Sequence, residues 1–297
     1  MRSKRKGFQR KWLLISILVF FGICGLTLPA SLLADDLEKG RAAIGAGDYG
    51  TALQLLKPLA EKGNARAQNA LAVLYLKGWG VNQDHSEALK WYHKAADQGD
   101  PVGQYNLGQM YDNGWGVRKN YVEAVKWYRK SAEQGYATGQ SILGAMYATG
   151  DGVPQDYTEA MKWYGKAEDQ GEAEAQRRIG LMYAEGQGVT KDYVEAEKWF
   201  RKAAEQGNVG GQFWLGRLYD HGWGVKRSPE EAARWYQMAA ERGLPEAQYK
   251  IGVMHANGEG VEQNHTKAIM WLRMAADQDN KEAKTFLREH YKEPAKQ

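Results

Sequence analysis

The chain has 297 residues, 43% of them apolar, ample for one elongated array or two compact domains. Its formal charge of +4 arises in residues 1–34, which hold six basic residues (Arg2, Lys4, Arg5, Lys6, Arg10, Lys11) and no acid. The remainder has 34 basic against 36 acidic residues, which removes the electrostatic case for a nucleic-acid partner. The single cysteine, Cys24, leaves the rest of the chain without a disulfide framework or a thiolate metal site.

Residues 1–34 read as an export signal. A basic start precedes an apolar run, Leu13 to Leu28, and then come Pro29, a small-residue stretch, Ala34 and the acidic pair Asp35–Asp36. Cleavage would fall after Ala34. An uncleaved anchor remains the alternative, because Trp12 to Ala34 carries no charge and is long enough to span a bilayer. Either way the basic end stays cytoplasmic and the rest of the chain is periplasmic or secreted, touching the membrane only through this segment. Cys24 follows Ile23, where a bacterial lipobox has a small residue.

Residues 35–63 read as an N-terminal capping hairpin turned at Gly45-Ala46-Gly47-Asp48. Beyond it the sequence becomes periodic. Trp91, Trp127, Trp163, Trp199, Trp235 and Trp271 fall 36 residues apart, and Gln68, Gln104, Gln140, Gln176, Gln212 and Gln248 keep the same step. Gly99, Gly135, Gly171, Gly207 and Gly243 follow it until Asp279 breaks the row. A fixed period of this size marks a stacked repeat array. Residues 64–279 divide into six units: 64–99, 100–135, 136–171, 172–207, 208–243 and 244–279. Residues 280–297 begin another helix, turn charged and stop at Pro294, as a polar C-terminal cap does.

Unit 100–135 shows the pattern. Gln104, Leu107, Gly108, Met110 and Tyr111 line one face of a first helix from Pro101 to about Asn113, which Gly114-Trp115-Gly116 ends. Asn120 opens a second helix, with Glu123 three residues later as a capping box. The cap place holds Asp84, Asn120, Asp156, Asp192, Ser228 and Asn264, all strong N-cap types. Ala124, Trp127, Tyr128 and Ser131 form the stripe of the second helix, which runs to about Glu133. The small Ala lets the helices approach, and the Trp covers their junction. The expected fold is all-α, a right-handed α-solenoid of helix-turn-helix repeats with a 36-residue period.

These residues also carry a likeness. Leu107-Gly108-x-Met110-Tyr111-x-x-Gly114-x-Gly116-Val117, followed by Ala124-x-x-Trp127-Tyr128-x-Lys130-Ser131-Ala132-x-x-Gly135, resembles the Sel-1-like repeat, an α-helical relative of the tetratricopeptide repeat. The pattern recurs six times in register, with small departures such as Ala72, Glu168, His255 and Asp279. The resemblance implies a scaffold or adaptor of the cell envelope, signalling or host contact. Some cysteine-rich relatives are described as β-lactamase-like or penicillin-binding. Those carry a Cys pair in each unit, and this chain has no cysteine after Cys24.

No catalytic constellation stands out, so the chain is expected not to be an enzyme. Gly139-Gln140-Ser141-Ile142-Leu143-Gly144 is one residue too long for a nucleophile elbow, and its glycines are repeat positions. The Gly-x-Gly loops end helices rather than follow strands, so no nucleotide cofactor is implied. No two histidines have metal-ligand spacing. Neither a cofactor nor a metal is expected.

The remaining signal is variation between units. Stepping by 36 along the first helices places Arg177, Arg178, Phe213, Trp214, Arg217 and Tyr249 close together in units four to six, on the side expected to be concave. Arg with aromatics is the composition of an interface centre, and these six are the candidate contacts for a protein or peptide partner. The competing reading is that Phe213 and Trp214 only fill gaps between helices. Trp79, Trp115 and Trp223 occupy variable loop places and form either an exposed ridge, suited to cell-wall or glycan binding, or rings folded back on the helices.

Overall fold

The computed structural model describes residues 30–291. The export segment before Ala30, with Cys24, and the tail from Lys292 with Pro294 lie outside the described residues. Fifteen helices and no strand occur among the described residues. None of these helices is long and apolar enough to cross a membrane. They form two compact units divided after Gln98. The first holds α1 (Ala30–Ala46), α2 (Tyr49–Glu61), α3 (Ala65–Lys77) and α4 (His85–Asp97). The second holds α5 (Pro101–Asn113), α6 (Tyr121–Glu133), α7 (Ala137–Thr149), α8 (Tyr157–Glu168), α9 (Ala173–Glu185) and α10 (Tyr193–Glu205). It continues with α11 (Val209–His221), α12 (Pro229–Glu241), α13 (Pro245–Asn257), α14 (His265–Asp277) and α15 (Lys281–Tyr291). Each repeat is thus a pair of antiparallel-patterned helices whose bounds follow the caps read from the sequence.

The caps work by half of the expected box. The Asp156 carboxylate accepts from the N–H of Thr158 and of Glu159, and Asn120 accepts from Glu123 N–H. The N–H of each cap residue is not left for the glutamate. Asn120 N–H donates to the Tyr111 carbonyl at 2.8 Å, and Asp156 N–H to that of Tyr147 at 2.9 Å. The loop is thereby tied to the helix before it. The glutamates turn outward instead and pair with lysines three residues on, as in Glu123–Lys126 at 2.8 Å and Glu159–Lys162 at 2.9 Å.

Packing within a repeat depends on the glycine of the first-helix face. A Cβ on Gly108 would lie 2.6 Å from the Tyr128 ring, and one on Gly144 would lie 2.8 Å from the Tyr164 ring. Phe200 rests on Gly180 and Tyr236 on Gly216 in the same way. These rings are the largest fully buried side chains, and the alanines Ala124, Ala160, Ala196 and Ala232 beside them are fully covered. Trp91, Trp127, Trp163, Trp235 and Trp271 are buried to 5–9% exposure and close the junctions from outside. Trp199 alone of the six is only half-buried.

The glutamine row forms a polar seam through the apolar stack. Gln140 Nε2 donates to the Ala132 carbonyl of the preceding repeat at 3.1 Å, and its Oε1 accepts from Gln170 Nε2 at 2.8 Å. Equivalent side-chain pairs join Gln134 to Gln104, Gln206 to Gln176 and Gln278 to Gln248. In unit 208–243 the pairing glutamine is replaced by Arg242, which bonds the Gly207 carbonyl instead. Gln212 Oε1 is consequently buried without a partner.

Two loop features fix the joints. Gly152 has φ of 72°, and a Cβ there would lie 2.4 Å from the Tyr121 carbonyl oxygen, so both conformation and contact demand glycine. At the end of α14, Asp279 keeps the left-handed conformation of its glycine row, with φ of 65°.

Candidate functional site

The six candidate residues are all half-buried and fall into three groups. Arg177 and Arg178, on α9, converge on one carboxylate. Glu174 accepts from Arg177 Nε at 2.8 Å and from Arg178 Nε at 2.8 Å, and it also binds Arg177 Nη2. Asn208 Nδ2 reaches the same carboxylate from the next repeat at 3.3 Å. Burial opposes ionisation of Glu174, but the bonds and charges of the two arginines outweigh it and hold its carboxyl below the ordinary value. The Arg177 side chain is only 16% exposed and lies over Gly210, where a Cβ would come within 2.5 Å of its Cδ. Arg177 is therefore spent on joining repeats.

The second group is Trp214 with Arg217, one turn apart on α11. The Trp214 ring stacks on Phe200 with centroids 5.6 Å apart and planes 11° apart. Phe200 stands where four of the other repeats have tyrosine and the last has Leu272, so the stack is wholly apolar. The Arg217 guanidinium carbon lies 4.3 Å from the Trp214 ring centre and 5.5 Å from that of Trp223. No carboxylate pairs with Arg217 among the described residues. Its charge is held in place by aromatic faces and left uncompensated. Phe213, beside Trp214 in sequence, turns inward and packs on Tyr236 at 5.6 Å, among Val209 and Leu244. For Phe213 the gap-filling reading describes the geometry.

Tyr249 forms the third group. It lines a cleft of about 310 Å³ with Lys281, Glu282, Thr285, Phe286 and Glu289 of α15. Burial, with Glu282 nearby, raises its hydroxyl pKa.

Two of the three loop tryptophans, Trp79 and Trp223, fold back. Trp79 stacks on Tyr49 with centroids 4.9 Å apart, and Trp223 on Tyr193 at 5.3 Å. Each ring thus covers the first turn of the preceding second helix rather than standing as a ridge. Glu174 is the site residue that the sequence reading missed. Its spacing of three and four from Arg177 and Arg178 was a readable signal for neutralisation. Among the described residues no group of three or more His, Cys, Asp or Glu could hold a metal.

Comparison with known proteins agrees with this architecture. The Sel1 repeat model matches residues 65–100, 101–136, 137–172, 173–208, 209–244 and 245–280, one residue later than the boundaries expected from the sequence. A Sel1 repeat protein from Oxalobacter formigenes is 38% identical with a TM-score of 0.76, and the match covers 82% of this chain and 99% of that one. A protective antigen of uropathogenic Escherichia coli with the same kind of fold is 39% identical with a TM-score of 0.69. That match covers 82% of this chain but 53% of the antigen, so the chain spans about half its length. An immunity protein from Pseudomonas aeruginosa, 19% identical with a TM-score of 0.52 over 78% of this chain and 88% of its own, shares the fold alone. No curated protein sequence matches the chain. With six consecutive matches over most of its length, the chain belongs to the Sel1 repeat family.

Proposed function

We propose that this protein is an exported scaffold that binds an acidic segment of a protein or peptide partner through the first-helix row around Trp214 and Arg217. The Sel1 repeat fold serves generally as a protein-interaction scaffold, and the chain has that fold. The observation that carries the reading is the state of Arg217. It is an arginine fixed between two indole rings and without a carboxylate partner among the described residues. A cation held this way loses little conformational freedom when a partner carboxylate arrives. Arg177 and Arg178 are bound to Glu174 and act as the frame, while Tyr249 and its cleft extend the row toward the C-terminal cap. Export rests on the basic start and the apolar run Leu13 to Leu28. A similar protein that is a protective antigen is in keeping with an array that leaves the cytoplasm. The stacking of Trp79 and Trp223 on tyrosines covers one face of each ring, which weakens a glycan-binding ridge.

The test uses a partner captured by crosslinking in the native cell and then purified. Trp214→Ala should weaken its binding by roughly thirty-fold, the usual effect of removing a central anchor of about 2 kcal/mol. Arg217→Glu should weaken it further, with a loss that shrinks at high salt. Normal binding by folded forms of both variants would reject the assignment.

A further inference from the structure

One row of the second helices reads His93, Arg129, Gly165, Arg201, Gln237 and Arg273, and only Gly165 lacks a side chain. In α6 Arg129 donates from Nη2 to the Tyr147 hydroxyl of the next repeat at 2.6 Å, with its guanidinium carbon 5.6 Å from the ring centre. In α10 Arg201 does the same to Tyr219 at 2.7 Å, braced by Glu197 through Nε at 2.8 Å. Between them, in α8, the row holds Gly165, and nothing lies within 4 Å of where its Cβ would be. The facing tyrosine, Tyr183, is still present. A cleft of about 350 Å³ opens there, lined by Met161, Gly165, Asp169, Ile179, Tyr183 and Trp199. The missing side chain also accounts for Trp199, the one repeat tryptophan that is half-buried rather than covered.

We propose that this cleft receives an arginine side chain from a partner protein, in the place that Arg129 and Arg201 fill in the flanking repeats. The shape is that of a guanidinium slot because the same fold holds a guanidinium on either side of it. The Tyr183 hydroxyl has no hydrogen-bond partner among the described residues and is the acceptor that Tyr147 and Tyr219 offer to their own arginines. Tyr183 supplies an aromatic face for a planar cation, and Trp199, which carries Lys202 over its ring at 4.3 Å, closes the wall of the cleft.

Two lysines also line the cleft, and both are engaged: Lys162 is paired with Glu159 at 2.9 Å, and Lys166 sits over Trp163 at 4.0 Å. Asp169, one turn after Gly165, has no ion pair among the described residues. Glu168 replaces the alanine of every other repeat and adds a second carboxylate beside the cleft, held by Lys202 at 3.1 Å. Both departures from the repeat, Gly165 and Glu168, thus meet at one cleft. The site lies on other helices than Trp214 and Arg217 and stands or falls independently of them.

The test titrates the full chain with the blocked peptides acetyl-Gly-Arg-Gly-amide, acetyl-Gly-Lys-Gly-amide and acetyl-Gly-Leu-Gly-amide. The readout is the Trp199 indole N–H resonance, identified by its loss in Trp199→Phe. The arginine peptide should shift it saturably with a dissociation constant of roughly millimolar order, as suits one side chain. The lysine peptide should bind several-fold more weakly and the leucine peptide not at all. Gly165→Arg, which completes the row within the chain, should raise the melting temperature and abolish the shift. Tyr183→Phe should weaken it about three- to ten-fold, the loss of one hydrogen bond to a charged group. An equal response to all three peptides, no saturable shift, or an unchanged shift in folded Gly165→Arg would overturn the proposal.

Discussion

Two glycine-to-alanine changes in one repeat should have opposite signs. Gly144 and Gly165 both lie inside helices of unit 136–171, α7 and α8. An alanine in a helix interior is better than glycine by about 0.5–1 kcal/mol, so propensity alone favours both changes. The surroundings differ. A Cβ on Gly144 would sit 2.8 Å from Cδ1 and Cε1 of Tyr164 and 3.1 Å from the Ala160 carbonyl oxygen. Tyr164 is 1% exposed and has nowhere to retreat. Overpacking of this kind costs about 1–3 kcal/mol, so Gly144→Ala should be destabilising by about 1–2 kcal/mol net. A Cβ on Gly165 meets nothing within 4 Å, so Gly165→Ala should keep its gain of about 0.5–1 kcal/mol. The two variants should differ by about 2–3 kcal/mol, or roughly 5–10 °C in melting temperature at this chain length. Urea titration and thermal melts by circular dichroism measure the difference. The comparison is clean because both sites share one repeat, so the cooperativity of the array affects them alike. A Gly144→Ala protein as stable as the parent, or a destabilised Gly165→Ala protein, would refute the ring-on-glycine account of repeat packing.

Arg242→Gln should restore the missing link of the glutamine seam. It gives Gln212 Oε1 the donor that Gln140 receives from Gln170, and stability should rise by about 1 kcal/mol in urea titration. Trp163→Ala should cost about 3–5 kcal/mol, against about 1 kcal/mol for loss of the Asp156 cap in Asp156→Ala. If the cap change proved the more damaging, packing would not be the main support of the array. Asp279→Gly relieves a non-glycine residue at φ of 65° and should raise the melting temperature slightly, whereas a fall would mean that the exposed Asp279–Lys284 pair outweighs the strain.

What was legible in the sequence was local. N-caps, glycine stops and the apolar stripe each act within a few residues, and α5 from Pro101 to Asn113 and α6 from Tyr121 to Glu133 follow from them directly. The function of the glutamine row was not legible. Its periodicity was plain, but its two partners lie eight residues before and thirty after, on other helices. The second half of the capping box failed for the same reason: the Asn120 N–H had a distant acceptor, Tyr111 carbonyl, that no local motif records. At the candidate site the sequence placed Arg177, Arg178, Trp214 and Arg217 on neighbouring rows but not their states of charge. Glu174 silences two of the arginines, and only the stacking of Trp214 on Phe200 shows why Arg217 is held where it is. Phe213 and Tyr249 share a row yet turn to different neighbours, Tyr236 in one case and the α15 cleft in the other. The Gly165 cleft is visible only when a gap in one row is set against the tyrosine of the next repeat.

The most direct measurement is site-specific photocrosslinking in the native cell, with the photoreactive residue at Lys250, beside the Trp214–Arg217 row, or at Val194, a 52% exposed position on α10. Lys250 should yield one discrete protein adduct that disappears when Arg217→Glu is added, and Val194 should not yield it. The same adduct from both positions, or one from Lys250 that persists in folded Arg217→Glu protein, would contradict a partner-binding role for this face.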